Sequence, residues 1–209
     1  MQPLSIDIAA IEGAHKRIAQ HIHRTPLLGS RLIDEITGAT VTFKCENLQR
    51  TGAFKARGAF NAVLSLPRAT AGQGVATHSS GNHAAALALA AASAGRPAHV
   101  VMPESTPAVK VAAVRGYGAE VIFCAPTLAA REAALAELVE RTGVIFIPPY
   151  DHPDIIAGQG TCALEIAEQC ETAPEVLITP VGGGGLLAGC AVAARALLPG
   201  TEIVGAEPS

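Results

Sequence analysis

Short runs of β-branched residues recur along this chain, each followed by a longer stretch rich in alanine and leucine. No other feature restricts its fold as strongly. Strand candidates are residues 40–44, 74–77, 98–102, 120–123, 144–147, 175–179 and 202–205. Helix candidates are residues 6–20, 56–65, 83–94, 107–117, 128–142, 158–169 and 186–197. Strands alternating with helices of this length predict βαβ units and a mostly parallel sheet. The handedness and short-connection rules then favour a doubly wound α/β architecture. With two Tyr, five Phe and no Trp, the core must be built from Ala, Val, Ile and Leu, which suits close packing of helices on a parallel sheet. The 209 residues suit one large domain or two small ones. The strand–helix units within residues 73–148 form a self-contained run. They read as a smaller domain inserted into a larger one made of residues 1–72 and 149–209.

Charge and cysteine usage narrow the function classes. A formal net charge of −3 gives no electrostatic reason to expect a nucleic acid partner, and no block of like charge marks a membrane-binding face. Cys45, Cys124, Cys162, Cys170 and Cys190 are widely spaced and include no C-x-x-C pair, which argues against a disulfide framework and a zinc cluster. The amino terminus lacks a basic region followed by an apolar core, so it does not read as a signal peptide. The longest weakly polar stretch, residues 180–194, holds five glycines and is too short for a membrane span. A soluble cytoplasmic protein is the expectation.

Three clusters carry chemistry. The first surrounds Lys55, one of four lysines, in the run Gly52-Ala53-Phe54-Lys55-Ala56-Arg57-Gly58. A lysine that attacks a carbonyl must be desolvated enough to lose its proton near neutral pH. Phe54 supplies an apolar wall, and the small neighbours leave room for a flat cofactor; the alternative is a surface lysine at a helix start. The second cluster is Thr77-His78-Ser79-Ser80-Gly81-Asn82-His83, between a predicted strand and an alanine-rich helix. Backbone N–H groups at a helix start favour a carboxylate, and Ser79, Ser80 and Asn82 add side-chain partners. An ordinary N-cap would need only one such residue. The third cluster is Gly182, Gly183, Gly184 and Gly185, again between a predicted strand and a helix. Four consecutive glycines lose much backbone entropy on folding, and close approach of the backbone to a phosphate offsets that cost; a flexible turn is the alternative. No Gly-Lys-Ser/Thr ending makes this a P-loop, and the dinucleotide fingerprint is poor. A lysine for an aldehyde, a polar loop for a carboxylate and a glycine loop for a phosphate are the parts a pyridoxal phosphate enzyme needs to act on an amino acid.

The chain resembles the serine/threonine dehydratase and serine racemase family of fold type II pyridoxal phosphate enzymes. The resemblance rests on Lys44-Cys45-Glu46-Asn47-Leu48-Gln49 through Ala59, Ser79 to His83, Ile155-Ile156-Ala157-Gly158-Gln159-Gly160-Thr161, the glycine run and Gly205-Ala206-Glu207-Pro208-Ser209, in family order. It implies a two-lobed fold like that of the tryptophan synthase β chain, with pyridoxal 5'-phosphate in the cleft between lobes. It implies that Lys55 holds the cofactor and Phe54 packs on its ring. Asn82 would bond the phenolic oxygen, and Gly182, Gly183, Gly184, Gly185 and Leu186 would hold the phosphate. Ser79, Ser80, Gly81 and His83 would surround the substrate carboxylate. In some relatives a divalent cation uses the residue matching Glu207 with later residues, which makes Glu207 the metal-ligand candidate.

Ala53 stands where the family often has Ser, and the family's pyridine-nitrogen contact comes from beyond the matched stretch. The chain therefore reads as a family member shortened at its carboxyl end, expected to bind cofactor more weakly than an extended one. The implied reaction is dehydration of a small hydroxy amino acid such as L-serine or L-threonine to a 2-oxo acid and ammonia, by a homo-oligomer expected to be a dimer. Racemisation is the first rival, with Ser80 as the acid/base opposite Lys55; Tyr150 weighs toward dehydration. An inactive fragment or binding module is the second.

Overall fold

The computed structural model describes residues 6–208; Ser209, at the end of the last matched stretch, lies outside the described residues. Helix α1 (Ile8–Ile18) starts where the Asp7 carboxylate accepts from Ala10 N–H at 2.9 Å. A short antiparallel pair follows, β1 (Leu27–Gly29) with β2 (Thr42–Lys44), around helix α2 (Arg31–Thr37). Two single turns of 3₁₀ helix, Glu46–Leu48 and Arg50–Gly52, lead into α3 (Lys55–Ser65).

The middle of the chain alternates β3 (Val75–His78), α4 (Asn82–Ser93), β4 (Ala98–Pro103), α5 (Ala108–Gly116), β5 (Glu120–Cys124), α6 (Leu128–Thr142) and β6 (Ile145–Phe146). Its strands form one fully parallel sheet in the order β5-β4-β3-β6. Side chains alternate across it as a doubly covered sheet requires. Val75, Val100 and Met102 pack with buried residues of α3, α4 and α5, while Ala76 and Val101 pack against Leu135 and Leu138 of α6. The chain steps outward from β3 to β5, then crosses by α6 to lay β6 on the other side of β3. The winding therefore reverses between β3 and β6. In open parallel sheets, the crevice beyond the strand carboxyl ends at such a reversal is where ligands bind.

The remainder is α7 (Pro153–Gln169), β7 (Val176–Pro180), α8 (Gly185–Leu197) and β8 (Glu202–Ala206), with β7 and β8 paired in parallel. Helix α7 is the hub of this half and packs on α1, α3 and α8. Glycines permit its close approach to two neighbours. A Cβ on Gly158 would lie 2.6 Å from Gly58 Cα of α3, and one on Gly189 of α8 would lie 2.3 Å from Ile156 O. Among the described residues all five cysteines are free, and no helix is long and apolar enough to cross a membrane.

The expected helix–strand alternation is present, with parallel pairing in two of the three sheets and an antiparallel pair, β1 and β2, in the third. Two elements not expected from the sequence, β1 and α2, precede β2. Helix α7 begins five residues before its expected start, with His152 as N-cap and Pro153 in the first turn, where its missing N–H costs nothing.

Candidate active site

Lys55 opens α3 after a strained approach. Thr51 has φ +61° and is the only non-glycine residue with positive φ among those described; Gly52 follows at +73°. A β-branched residue in that region is held there by its surroundings. The turn presents Lys55 half-buried, with Nζ 5.2 Å from the centre of the Phe54 ring. Nζ donates to Pro149 O at 2.6 Å. Burial pushes the Lys55 amine below its ordinary pKa, since a charged ammonium is the form desolvation disfavours.

A buried ionic network lies beneath this turn. Arg57, with no exposed surface, donates to both oxygens of Glu46, at 2.8 and 2.7 Å, and to both oxygens of Glu165, at 2.7 and 2.9 Å. Lys44 Nζ donates to Glu165 Oε2 at 2.6 Å, to Gln169 at 2.7 Å and to Thr25 O at 2.7 Å. Desolvation opposes the Glu165 carboxylate, but the bonds and charges of Arg57 and Lys44 outweigh it and hold its pKa below the ordinary value. The network joins the approach to Lys55, the first turn of α3 and helix α7. It also commits Lys44 to one carboxylate and two neutral acceptors.

The second cluster follows β3 at the winding reversal. Ser79, Ser80 and Gly81 are partly exposed, Asn82 is exposed, and Ser79 Oγ accepts from Gly81 N–H at 3.2 Å. His83 differs from them. It is 2% exposed, and its Nε2 lies 3.2 Å from Ile147 O. Burial lowers its pKa to about 4, so near neutral pH the ring is uncharged and offers a carboxylate no positive charge.

The third cluster precedes α8. Gly184 caps the helix with φ +80°, a conformation that favours glycine. Among the described residues, the amides of Gly182, Gly183 and Gly184 donate to no acceptor in the chain. A Cβ on Gly182 would meet nothing within 4 Å, whereas one on Gly183 would lie 2.2 Å from the Tyr150 ring. Leu186 is partly buried in the first turn of α8.

All three clusters meet one segment, the crossover from β6 to α7. Ile147 O faces His83, Pro149 O accepts from Lys55, and the Tyr150 ring lies on Gly183. Of this crossover the sequence points only to Tyr150, because its other two contacts are made by backbone carbonyls. Glu207 is exposed just beyond β8, and among the described residues no three His, Cys, Asp or Glu side chains group as metal ligands.

A family model for pyridoxal-phosphate dependent enzymes matches residues 18–209. The chain belongs to that family. It is 47% identical over its whole length to a serine racemase of Dictyostelium discoideum, of which it covers 64%. It is 50% identical over 93% of its length to an L-threo-3-hydroxyaspartate ammonia-lyase of Saccharomyces cerevisiae, of which it covers 60%. Its fold matches the structure of maize serine racemase with a TM-score of 0.96 and 44% identity, over 99% of this chain and 62% of that one. The chain thus spans somewhat under two thirds of the length of these relatives.

Pyridoxal 5'-phosphate, expected from the sequence, is the cofactor of this family. The residues fit it. The partnerless amides of Gly182, Gly183 and Gly184 suit a phosphate at a helix start, and the desolvated Lys55 amine suits an aldehyde.

Proposed function

We propose that this chain carries the lysine, the substrate loop and the phosphate loop of an enzyme that converts a 3-hydroxy amino acid such as L-serine or L-threonine into a 2-oxo acid and ammonia. The observation that carries the reading is Lys55, whose half-buried amine is held at Pro149 O beside the Phe54 ring. Bound pyridoxal phosphate supplies an electron sink for charge developing at the substrate Cα. The chain's own groups do the rest. Lys55, with its proton affinity lowered by burial, removes the Cα proton as general base. Asn82 orients the cofactor through its phenolic oxygen, and Gly182, Gly183, Gly184, Gly185 and Leu186 hold its phosphate. Ser79, Ser80 and Gly81 bind the substrate carboxylate. Residues 73–148 form the smaller domain, and the working assembly is a homodimer.

Racemisation is the second reading, favoured by the serine racemases among the similar proteins and by the Ser80 hydroxyl in the loop after β3. It requires an acid/base on the face of the substrate opposite Lys55, and Ser80 takes that role.

Borohydride reduction after incubation with pyridoxal phosphate, followed by peptide mapping, tests the foundation: the pyridoxyl group is expected on Lys55. Labelling confined to Lys44 or Lys110 would remove it. Release of 2-oxo acid from L-serine, L-threonine and L-threo-3-hydroxyaspartate, with chiral analysis of recovered serine, then separates elimination from racemisation. Ser80→Ala is expected to abolish racemisation and spare elimination. Labelling at Lys55 without either reaction would leave a cofactor-binding module.

A further inference from the structure

His83 adjoins the substrate loop in sequence, but its ring is buried against the crossover at Ile147. A carbonyl oxygen only accepts, so the contact with Ile147 O at 3.2 Å places the imidazole proton on Nε2. Its Nδ1 is then the lone-pair nitrogen, and that atom is buried without a partner. The carbonyl it holds begins a stiff link. Ile147 N–H donates to Ala76 O of β3 at 2.9 Å, and Pro148 and Pro149 follow with fixed φ and no N–H of their own. Displacement at Ile147 is therefore passed with little slack to Pro149, whose carbonyl receives Lys55 Nζ at 2.6 Å. Beyond Tyr150 the crossover is anchored again where Asn61 Nδ2 donates to Asp154 O at 2.7 Å. The end nearer the small sheet is thus held by β3, by the Ile147 side chain buried in the core, and by the His83 bond to the Ile147 carbonyl.

We propose that His83 is a positioning residue for Lys55: its Nε2–H bond to Ile147 O seats the two-proline link, and the seated Pro149 carbonyl holds the lysine amine where an incoming aldehyde must meet it. This rests on the reading of Lys55 as the cofactor-bearing lysine, and it assigns His83 a task other than contact with the substrate carboxylate. The titratable neighbours involved are Lys55 itself, His83 and His78 at the end of β3. Burial is what lowers the affinity of Lys55 for its proton, so loosening the link admits water and lets that affinity rise.

The test uses the 209-residue chain with formaldehyde and cyanoborohydride as a small probe, read by peptide mass spectrometry as a function of pH. Exposed Lys16 and Lys110 serve as internal references. In the parent, Lys55 is expected to be modified with a midpoint below both references. His83→Phe fills the space without a donor and should move that midpoint upward, toward the references, measured well below the unfolding temperature of the variant. His83→Gln places an amide donor near the Nε2 position and should retain the parental midpoint. If His83→Phe does not fold, His83→Asn, too short to reach Ile147 O, takes its place with the same expectation. An unchanged Lys55 midpoint in the donorless variant overturns the proposal, and so does a Gln variant that behaves like it. The probe does not require pyridoxal phosphate. A shift here, combined with no pyridoxylation of Lys55, would therefore sink the cofactor reading and leave the positioning role standing.

Discussion

Replacing Arg57 by Met tests whether the ionic network beneath Lys55 supports the site. The side chain has no exposed surface and bridges Glu46 and Glu165 through four charge-assisted bonds of 2.7–2.9 Å, with weaker bonds to Thr161 at 3.1 Å and Thr25 at 3.4 Å. Removing it leaves two carboxylates facing two cations reduced to one. Glu165 keeps Lys44, but Glu46 keeps only the Thr25 hydroxyl, which donates at 2.6 Å. Breaking a buried ion pair by deleting one partner costs about 3–5 kcal/mol. That is a large share of the about 5–15 kcal/mol that stabilises a typical protein. At about 2–4 °C per kcal/mol for a chain of this size, the unfolding midpoint should fall by roughly 6–20 °C. Arg57→Lys keeps the charge but loses the fork that engages both carboxylates, so it should recover only part of the loss. Thermal unfolding followed by circular dichroism measures both. An Arg57→Met midpoint within about 2 °C of the parent, equivalent to less than about 1 kcal/mol, would show that the network contributes little and refute this reasoning.

Two further outcomes are expected. Gly189→Ala puts a methyl group 2.3 Å from Ile156 O and 2.6 Å from Gly160 N, so α7 and α8 must separate. Urea unfolding should show a loss of about 1–3 kcal/mol, with weaker pyridoxylation of Lys55 because α8 carries the glycine loop; an unchanged urea midpoint would contradict the close packing. The folded pKa of Glu165 lies below its ordinary value of 4.5, so its stabilising contribution is complete above pH 4.5 and is lost as pH falls through the folded value. Urea unfolding between pH 7 and pH 3 should therefore show an acid limb that is shallower in Glu165→Gln, and parallel limbs would remove Glu165 as its source.

The legible parts of the fold were those with local signatures. The β-branched runs of β4, β5, β7 and β8 sit between alanine-rich helices, and each was placed to within a residue at either end. Strand β1 has no local signature because three residues, Leu27, Leu28 and Gly29, carry no period, and α2 has none because none of its seven residues is buried. The expected α7 already includes Gly158 and Gly160; what it lacks is the first turn from Pro153, where proline takes a position that needs no N–H. Gly158 and Gly160 allow close contact with α3, α1 and α8, a tertiary demand with no local trace. In the candidate site, Lys55 and the glycine run stand out because small residues cluster around a reactive one. The partners of Arg57 do not, since Glu165 lies 108 residues along the chain and nothing local pairs them.

The placement of these charges separates two tasks at one lysine. Lys44 and Arg57 stand against Glu46 and Glu165, two cations against two carboxylates, so the network is neutral as a whole. Its neutrality matters because Lys55 begins the same helix that Arg57 anchors. A net positive cluster there would depress the lysine further, and a net negative one would restore its proton, in either case tying reactivity to the anchoring. Here burial alone lowers the Lys55 amine. Position comes from a clamp with no net charge, and proton affinity from the water that burial at this site excludes. Substitutions that preserve the charge balance of the clamp should therefore change how firmly Lys55 is held without changing the pH at which it reacts, whereas those that open the crossover should change the pH first.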